Sequence, residues 1–217
     1  MFRSKVLIML LAAVCFSLAL TGITAVFAQI PEEADEAFHD LLSELHEDRV
    51  VSDISGDYTY YGDYEDEWAQ IDYYQWVTFE QSNRFVLSAN ISWQSASQTP
   101  NNFAAGCGVI FNEGDGNSNH LLASIRMDGL IYFSGYRNHN YLSYGSYRYG
   151  PASTKGSADF VLVVDNGKAS VYLDGRRIVQ KAELPVMGDG VGLCTLSGTN
   201  KDYGTRCTYK DIFFYSW

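Results

Sequence analysis

The chain has 217 residues, of which 47% are hydrophobic, 15% aromatic and 19% charged, and 15 Lys and Arg against 26 Asp and Glu give a formal charge of -11. So many aromatics and so little charge exclude a disordered chain. The acidic balance excludes a duplex nucleic-acid binder, which needs a basic face. Four Cys are too few for a dense disulfide scaffold, and the length allows one ordinary domain with an appendage.

Residues 1–28 read as a secretory signal peptide. Arg3 and Lys5 make a short basic start, residues 6–20 form an apolar run broken only by Ser17, and Gly22 follows. Val26-Phe27-Ala28 then offers small residues at the two positions a signal peptidase reads, so cleavage is expected after Ala28. The alternative is an uncleaved anchor, since residues 6–28 are long enough to cross a bilayer core of roughly 30 Å. Cleavage leaves 189 of the 217 residues, a secreted or cell-surface chain with no membrane segment, and the three cysteines Cys107, Cys194 and Cys207. An oxidising compartment favours one disulfide and one leftover thiol, and spacing does not choose among the three pairings.

Residues 29–80 carry sixteen acidic residues and one basic residue, Arg49, whereas residues 81–217 hold ten acidic and twelve basic. The acidity therefore belongs to an N-terminal segment, 29–67, set before a near-neutral domain, 68–217. The segment opens with a helix over 32–48. Pro31 starts it, and Glu32, Glu33, Asp35 and Glu36 crowd the first turns, where the helix dipole favours negative charge. Ala34, Ala37, Phe38, Leu41, Leu42 and Leu45 make one apolar stripe. The stripe either packs on the main domain or docks a partner protein. Residues 56–67, rich in Tyr, Gly and Asp, suit a turn-rich extended segment.

From residue 68 onward the chain reads as strands. Phe85, Leu87, Ala89, Ile91 and Trp93 alternate with mostly polar neighbours, the period of a strand with one polar face. Residues 107–111 make a short apolar strand. Strands at 120–126 and 130–136 flank Asp128-Gly129, and those at 160–164 and 169–173 flank Asn166-Gly167. Asp174-Gly175 leads into 176–179, and strands at 191–196 and 208–214 complete the set. So many short antiparallel strands need two packed sheets or a closed barrel. The expected fold is all-β, an antiparallel two-sheet jelly-roll-like sandwich with one N-terminal amphipathic helix.

The segments "FVLSANISWQSASQTPNNFAAGCGVIFNEG", "HLLASIRMDGLIYFSGYR", "FVLVVDNGKASVYLDGRRI", "GVGLCTLSGT" and "CTYKDIFFYSW" together resemble the concanavalin A-like lectin/glucanase superfamily. The likeness is nearest to the laminin-G-like and 3-keto-disaccharide-hydrolase-type domains of secreted bacterial proteins. It covers residues 68–217 and implies a two-sheet sandwich, often with a sugar or protein ligand on the concave sheet or its rim. The segments "GCGVIF" and "GTRCTY" resemble the family's pattern, which implies a Cys107–Cys207 disulfide with Cys194 free.

Fold does not fix function, and the usual catalytic motifs are absent. Retaining glycosidases place two carboxylates about 5–5.5 Å apart, which an E-x-D-x-E strand would supply. The nearest match, Glu113-Gly114-Asp115, lacks the third carboxylate and sits among glycines. No zinc spacing, phosphate loop or nucleophile elbow occurs, and no cofactor is implied. Calcium is the one metal the sequence offers. Asp115, Asn117 and Asn119 alternate as in an EF-hand start, but His120 replaces the turn glycine and Arg126 stands where the bidentate Glu belongs.

Tyrosine carries more information. Tyr132, Tyr136, Tyr141, Tyr144, Tyr147 and Tyr149 are interleaved with Arg137, Asn138, His139, Asn140 and Arg148. Sugars present flat C–H faces and many hydroxyls, which suit rings with a polar tip flanked by Asn, Arg or His. The expected ligand-binding residues are Tyr132, Tyr136, Arg137, Asn138, His139, Tyr141 and Tyr144, with Tyr132 and Tyr136 on one sheet face. The sequence thus points to a secreted, non-catalytic domain whose partner is a polysaccharide or other glycan. A glycosidase with non-standard carboxylates, or a protein-interaction domain using the 32–48 helix, is the alternative.

Overall fold

The computed structural model describes residues 30–114 and 118–217. The helix α1 (Glu32–Glu47) is followed by β1 (Tyr58–Trp68), β2 (Tyr73–Gln81), β3 (Arg84–Ser95), β4 (Gly106–Glu113), β5 (His120–Arg126) and β6 (Leu130–Arg137). Then come β7 (Asn140–Arg148), β8 (Lys155–Asp165), β9 (Lys168–Leu173), β10 (Arg176–Glu183), β11 (Gly190–Ser197) and β12 (Thr205–Ser216). They build two six-stranded sheets. Sheet A runs β1-β12-β3-β8-β9-β10 and sheet B runs β2-β11-β4-β5-β6-β7. Every pairing is antiparallel, and the sheets stack as a sandwich without closing into a barrel. The expected turns at Asp128-Gly129, Asn166-Gly167 and Asp174-Gly175 join β5 to β6, β8 to β9 and β9 to β10. At the first of these Gly129 has φ +83, which a side chain would strain.

Strand alternation decides where the core sits. The odd residues Phe85, Leu87, Ala89, Ile91 and Trp93 of β3 meet Val109, Phe111, Leu121, Ala123, Ile125, Ile131 and Phe133 of sheet B between the layers. Two contacts cross that layer by other means. Cys107 on β4 and Cys207 on β12 form a disulfide with Cα atoms 5.7 Å apart. Tyr209, fully buried on β12, reaches sheet B with its hydroxyl. It accepts from the Gly108 N–H at 3.1 Å and donates to the Cys194 carbonyl at 2.7 Å.

Sheet A is apolar on its outer face as well. Val86, Val161, Val163, Tyr172, Phe213 and Tyr215 lie there, and α1 covers them with Phe38, Leu42 and Leu45. Phe38 stacks on Phe213 with ring centroids 4.5 Å apart. Burying three such side chains contributes about 1.5–3 kcal/mol each. The chain itself therefore supplies the surface that the apolar stripe needs. Tyr58 hydrogen-bonds the Asp35 carboxylate, which ties β1 to the helix. At its far end the helix stops where Arg49 takes φ 58.

The segment 56–67 is extended but is no loose tether. Residues 58–68 are edge strand β1, in register with β12 from Tyr58↔Tyr215 to Trp68↔Thr205. Asp63, Glu65 and Glu67 alternate outward while Tyr61 and Tyr64 pack on the core. Strands β2 and β7 add to the sequence reading, which expected strands from residue 68 but named the first of them at 85 and placed none at 140–148.

Two outcomes are expected. Replacing Cys107 and Cys207 together by Ser lowers the unfolding free energy by about 2–5 kcal/mol in urea titrations, because the bridge closes a long loop. Alkaline pH also destabilises the fold. The phenol of Tyr58, hydrogen-bonded to Asp35, and that of Tyr60, partly buried and bonded to Asp211, are pushed from 10.0 up to about 12. The fold therefore favours their neutral forms. That contribution is intact below about pH 10 and is lost as pH rises through 12. Thermal melts between those limits show it, and Tyr58→Phe reduces the slope.

Candidate functional site

The outer face of sheet B has no helix over it among the described residues. On this face Ile110, Leu122, Cys194 and Leu196 form a small apolar cluster against which Tyr74 and Trp76 pack. His120 and Arg126 share the face, because the alternating residues Leu121, Ala123 and Ile125 of β5 point into the core. Tyr136 on β6 and Tyr141 on β7 are directly opposed in register, with ring centroids 5.5 Å apart.

Two adjoining hollows lie over these side chains. One, of about 490 Å³, is lined by Tyr74, Asn101, Phe103, Arg126, Tyr136 and Tyr141 among others. The second, of about 880 Å³, is lined by Tyr74, Trp76, His120, Tyr136 and His139 and by residues 71–73. Asp72, Tyr73, Tyr74 and Tyr136 border both. These volumes are in the range of small-molecule sites.

The walls are aromatic and the edges polar. The Tyr74 hydroxyl is 2.5 Å from His120 Nε2. Burial pushes the Tyr74 phenol well above its ordinary value, so it stays neutral. The His120 ring lies among Tyr74, Trp76 and Tyr136, with centroids 5.1 to 5.7 Å away. At the rim, Asn101 Nδ2 donates to Asp72 at 2.8 Å, and Tyr73 is 60% exposed. Such a face can stack rings against apolar surfaces and offer hydrogen bonds at their edges.

Some residues expected from the sequence meet here. Tyr132 and Tyr136 share the outer face. Tyr136 lines both hollows and Tyr141 the first. The Tyr132 ring packs edge-on to Phe103 at 5.2 Å, and its hydroxyl donates to Asp128 at 3.1 Å. His139 borders the second hollow. Asn138 turns the β6–β7 hairpin with φ 50 and donates its N–H to the Asn119 side chain at 3.0 Å. Arg137 is exposed at the strand end. Tyr144 is placed apart from them, packed on the core between the sheets. Of the calcium residues, Asp115 and Asn117 lie outside the described residues, and the Asn119 carbonyl accepts from Gly114 at 2.9 Å. Among the described residues no group of three or more His, Cys, Asp or Glu could hold a metal ion.

No family model and no curated protein matches the chain in sequence. Solved structures do match it in shape. The carbohydrate-binding module CBM66 from Bacillus subtilis superposes with a TM-score of 0.54 at 12% identity, over 73% of this chain and 95% of that one. A fructosyltransferase from A. japonicus gives 0.50 at 14% identity, over 75% of this chain and 26% of the enzyme. The GH43 protein BlXynB from Bacillus licheniformis, as its K247S mutant, gives 0.50 at 11%, over 74% and 32%. These likenesses show the fold, a two-sheet antiparallel β-sandwich. The chain spans only about a third or less of the two larger proteins.

The sequence reading missed Tyr74, Trp76, Asn101, Phe103, His120 and Arg126 as lining residues. Tyr74 and Trp76, two apart in "YYQWVTF", carried a usable signal, since a strand puts both on one face. Nothing local announced Arg126.

Cys194 lies beneath this face, 1% exposed and unpaired, and burial pushes its thiol up to about 12. It is expected to resist iodoacetamide in the native protein at neutral pH and to react once the chain is unfolded in guanidinium. Mass spectrometry of the alkylated peptide checks this.

Proposed function

We propose that the chain is a secreted, non-catalytic glycan-binding sandwich that takes an oligosaccharide along the outer face of sheet B. The observation that carries this reading is the pair of adjoining hollows walled by Tyr74, Trp76, Tyr136 and Tyr141 and edged by Asp72, Asn101, Arg126 and His120. Pyranose and furanose rings want this combination of flat apolar surface and peripheral hydrogen bonding. Similarity of fold to a carbohydrate-binding module supports it. The finer kinship with laminin-G-like domains rests on the sequence resemblance alone.

The remaining features fit this reading. A Cys107–Cys207 disulfide suits an oxidising compartment, and the basic-apolar start of the sequence supplies an export signal. Hydrolysis would call for two carboxylates facing the ligand. Among the described residues that line the two hollows, Asp72 is the one carboxylate, and it sits at the rim bound to Asn101. That arrangement favours holding a glycan over cleaving it.

Calorimetric titration of the full chain with a panel of neutral and acidic oligosaccharides tests the reading. Binding is expected for at least one, and Tyr136→Ala weakens it about tenfold or more. Glu44→Gln on α1, across the sandwich from the hollows, leaves the affinity unchanged. A folded protein that binds no saccharide in the panel overturns the proposal.

A further inference from the structure

We infer that the saccharide bound here carries a carboxylate and that Arg126 is the residue that reads it. This deepens the glycan-binding proposal and rests on it.

Arg126 closes β5 and is 4% exposed, yet it lines the smaller hollow beside Tyr136 and Tyr141. Its guanidinium is fixed from several sides. The carbon Cζ lies 5.4 Å from the Tyr132 ring centroid and 5.9 Å from that of Phe103. Nε donates to Ser124 Oγ at 2.7 Å, and Nη1 donates to the Phe103 carbonyl at 2.7 Å. Both acceptors are neutral.

Among the described residues the side chain forms no ion pair. The ion pairs of arginine among the described residues are Arg84 with Asp165 and Arg206 with Glu65 and Glu67, all at exposed positions. Two acidic residues come near without pairing. Asp128 takes the Leu130 N–H and the Tyr132 hydroxyl, and Asp72 takes the Asn101 amide at the rim. Arginine cannot shed its proton to escape this position. A buried charge is costly unless paired, and two neutral hydrogen bonds with ring stacking offset only part of that cost.

A ligand carboxylate would supply what is missing. The Nη2 end of the fork has no protein acceptor among the described residues, and the side chain lines the hollow. Arginine meets carboxylates with paired, charge-assisted hydrogen bonds roughly twice as strong as neutral ones. The rings of Tyr136 and Tyr141 beside it suit the sugar that would bear the group. The chain's net charge of -11 does not argue against an acidic ligand, because the acidic helix covers sheet A, on the opposite side of the sandwich.

The test compares oligosaccharides of galacturonate, glucuronate and mannuronate with their methyl esters on the unmodified full chain. The ester keeps the shape and removes the charge. At least one free acid is expected to bind about tenfold or more tightly than its ester. Arg126→Gln brings the two affinities together, and Arg126→Lys restores part of the difference. Should Arg126→Gln fail to fold, the acid-to-ester ratio on the unmodified chain still decides. Equal or tighter binding of the esters, or binding of neutral sugars alone, overturns the role of Arg126 and leaves the glycan site standing. Binding of no saccharide overturns both.

Discussion

A two-layer sandwich has two outer faces, and whatever apolar surface each carries must be covered. In this chain both faces of sheet A are apolar, so α1 is obligatory: without Phe38, Leu42 and Leu45 the surface of Val86, Val161, Val163 and Phe213 would stand in water. Sheet B resolves the same problem differently. Its outer apolar cluster is small, and Tyr74 and Trp76 from an edge strand shield it in part. What remains open is a concave, ring-lined surface. The asymmetry of the two outer faces thus leaves the candidate site on sheet B.

The open face can be precise because the sheet behind it is held rigidly. Cys107–Cys207 and the Tyr209 hydroxyl join β12 to β4 and β11 across the core. Those strands carry Ile110 and Leu196, the floor beneath Tyr74 and Trp76. Arg126 is fixed by its own side-chain contacts and also at its backbone, whose carbonyl accepts the Tyr149 hydroxyl at 2.9 Å. A site built on paired strands and locked side chains keeps its geometry better than one built on loops.

Much of the fold was legible from the order of residues. Alternation in β3 and the Asp-Gly and Asn-Gly turns are local signals, and a period of two translates directly into a face. The helix was legible for the same reason, though not which sheet it would cover. The tyrosine-rich stretch shows where such reading ends. In register, Tyr136 opposes Tyr141 and Ser134 opposes Ser143, but Phe133 opposes Gly145. One extra residue, Tyr144, is bulged out of the ladder, and the parity of β7 inverts there. Tyr141 before the bulge faces the hollow, whereas Tyr147 and Tyr149 beyond it pack toward the core. A cluster that reads as one binding surface is therefore shared between site and core. Arg126 was illegible for a related reason: its partners Phe103 and Tyr132 come from a distant loop and the next strand, and only packing brings them to it.

The uneven charge of the chain acquires a structural meaning from the same layering. Most of the acidic residues before position 80 lie on α1 and β1, which cover and edge sheet A. At physiological ionic strength charges more than about 8 Å apart are largely screened from one another at the surface. The negative helix and the hollows of sheet B are separated by two sheets, which pack about 10 Å apart in sandwiches generally. The field felt by a ligand in the smaller hollow is thus set by Arg126 and Asp72, not by the net charge. One of these is a buried cation lining the hollow and the other an exposed carboxylate at the rim. A rim charge in contact with water is weak and screened, whereas the buried guanidinium acts at short range in a less polar setting. The charges in the smaller hollow, one Arg and one Asp, therefore do not share the acidic excess of the whole chain.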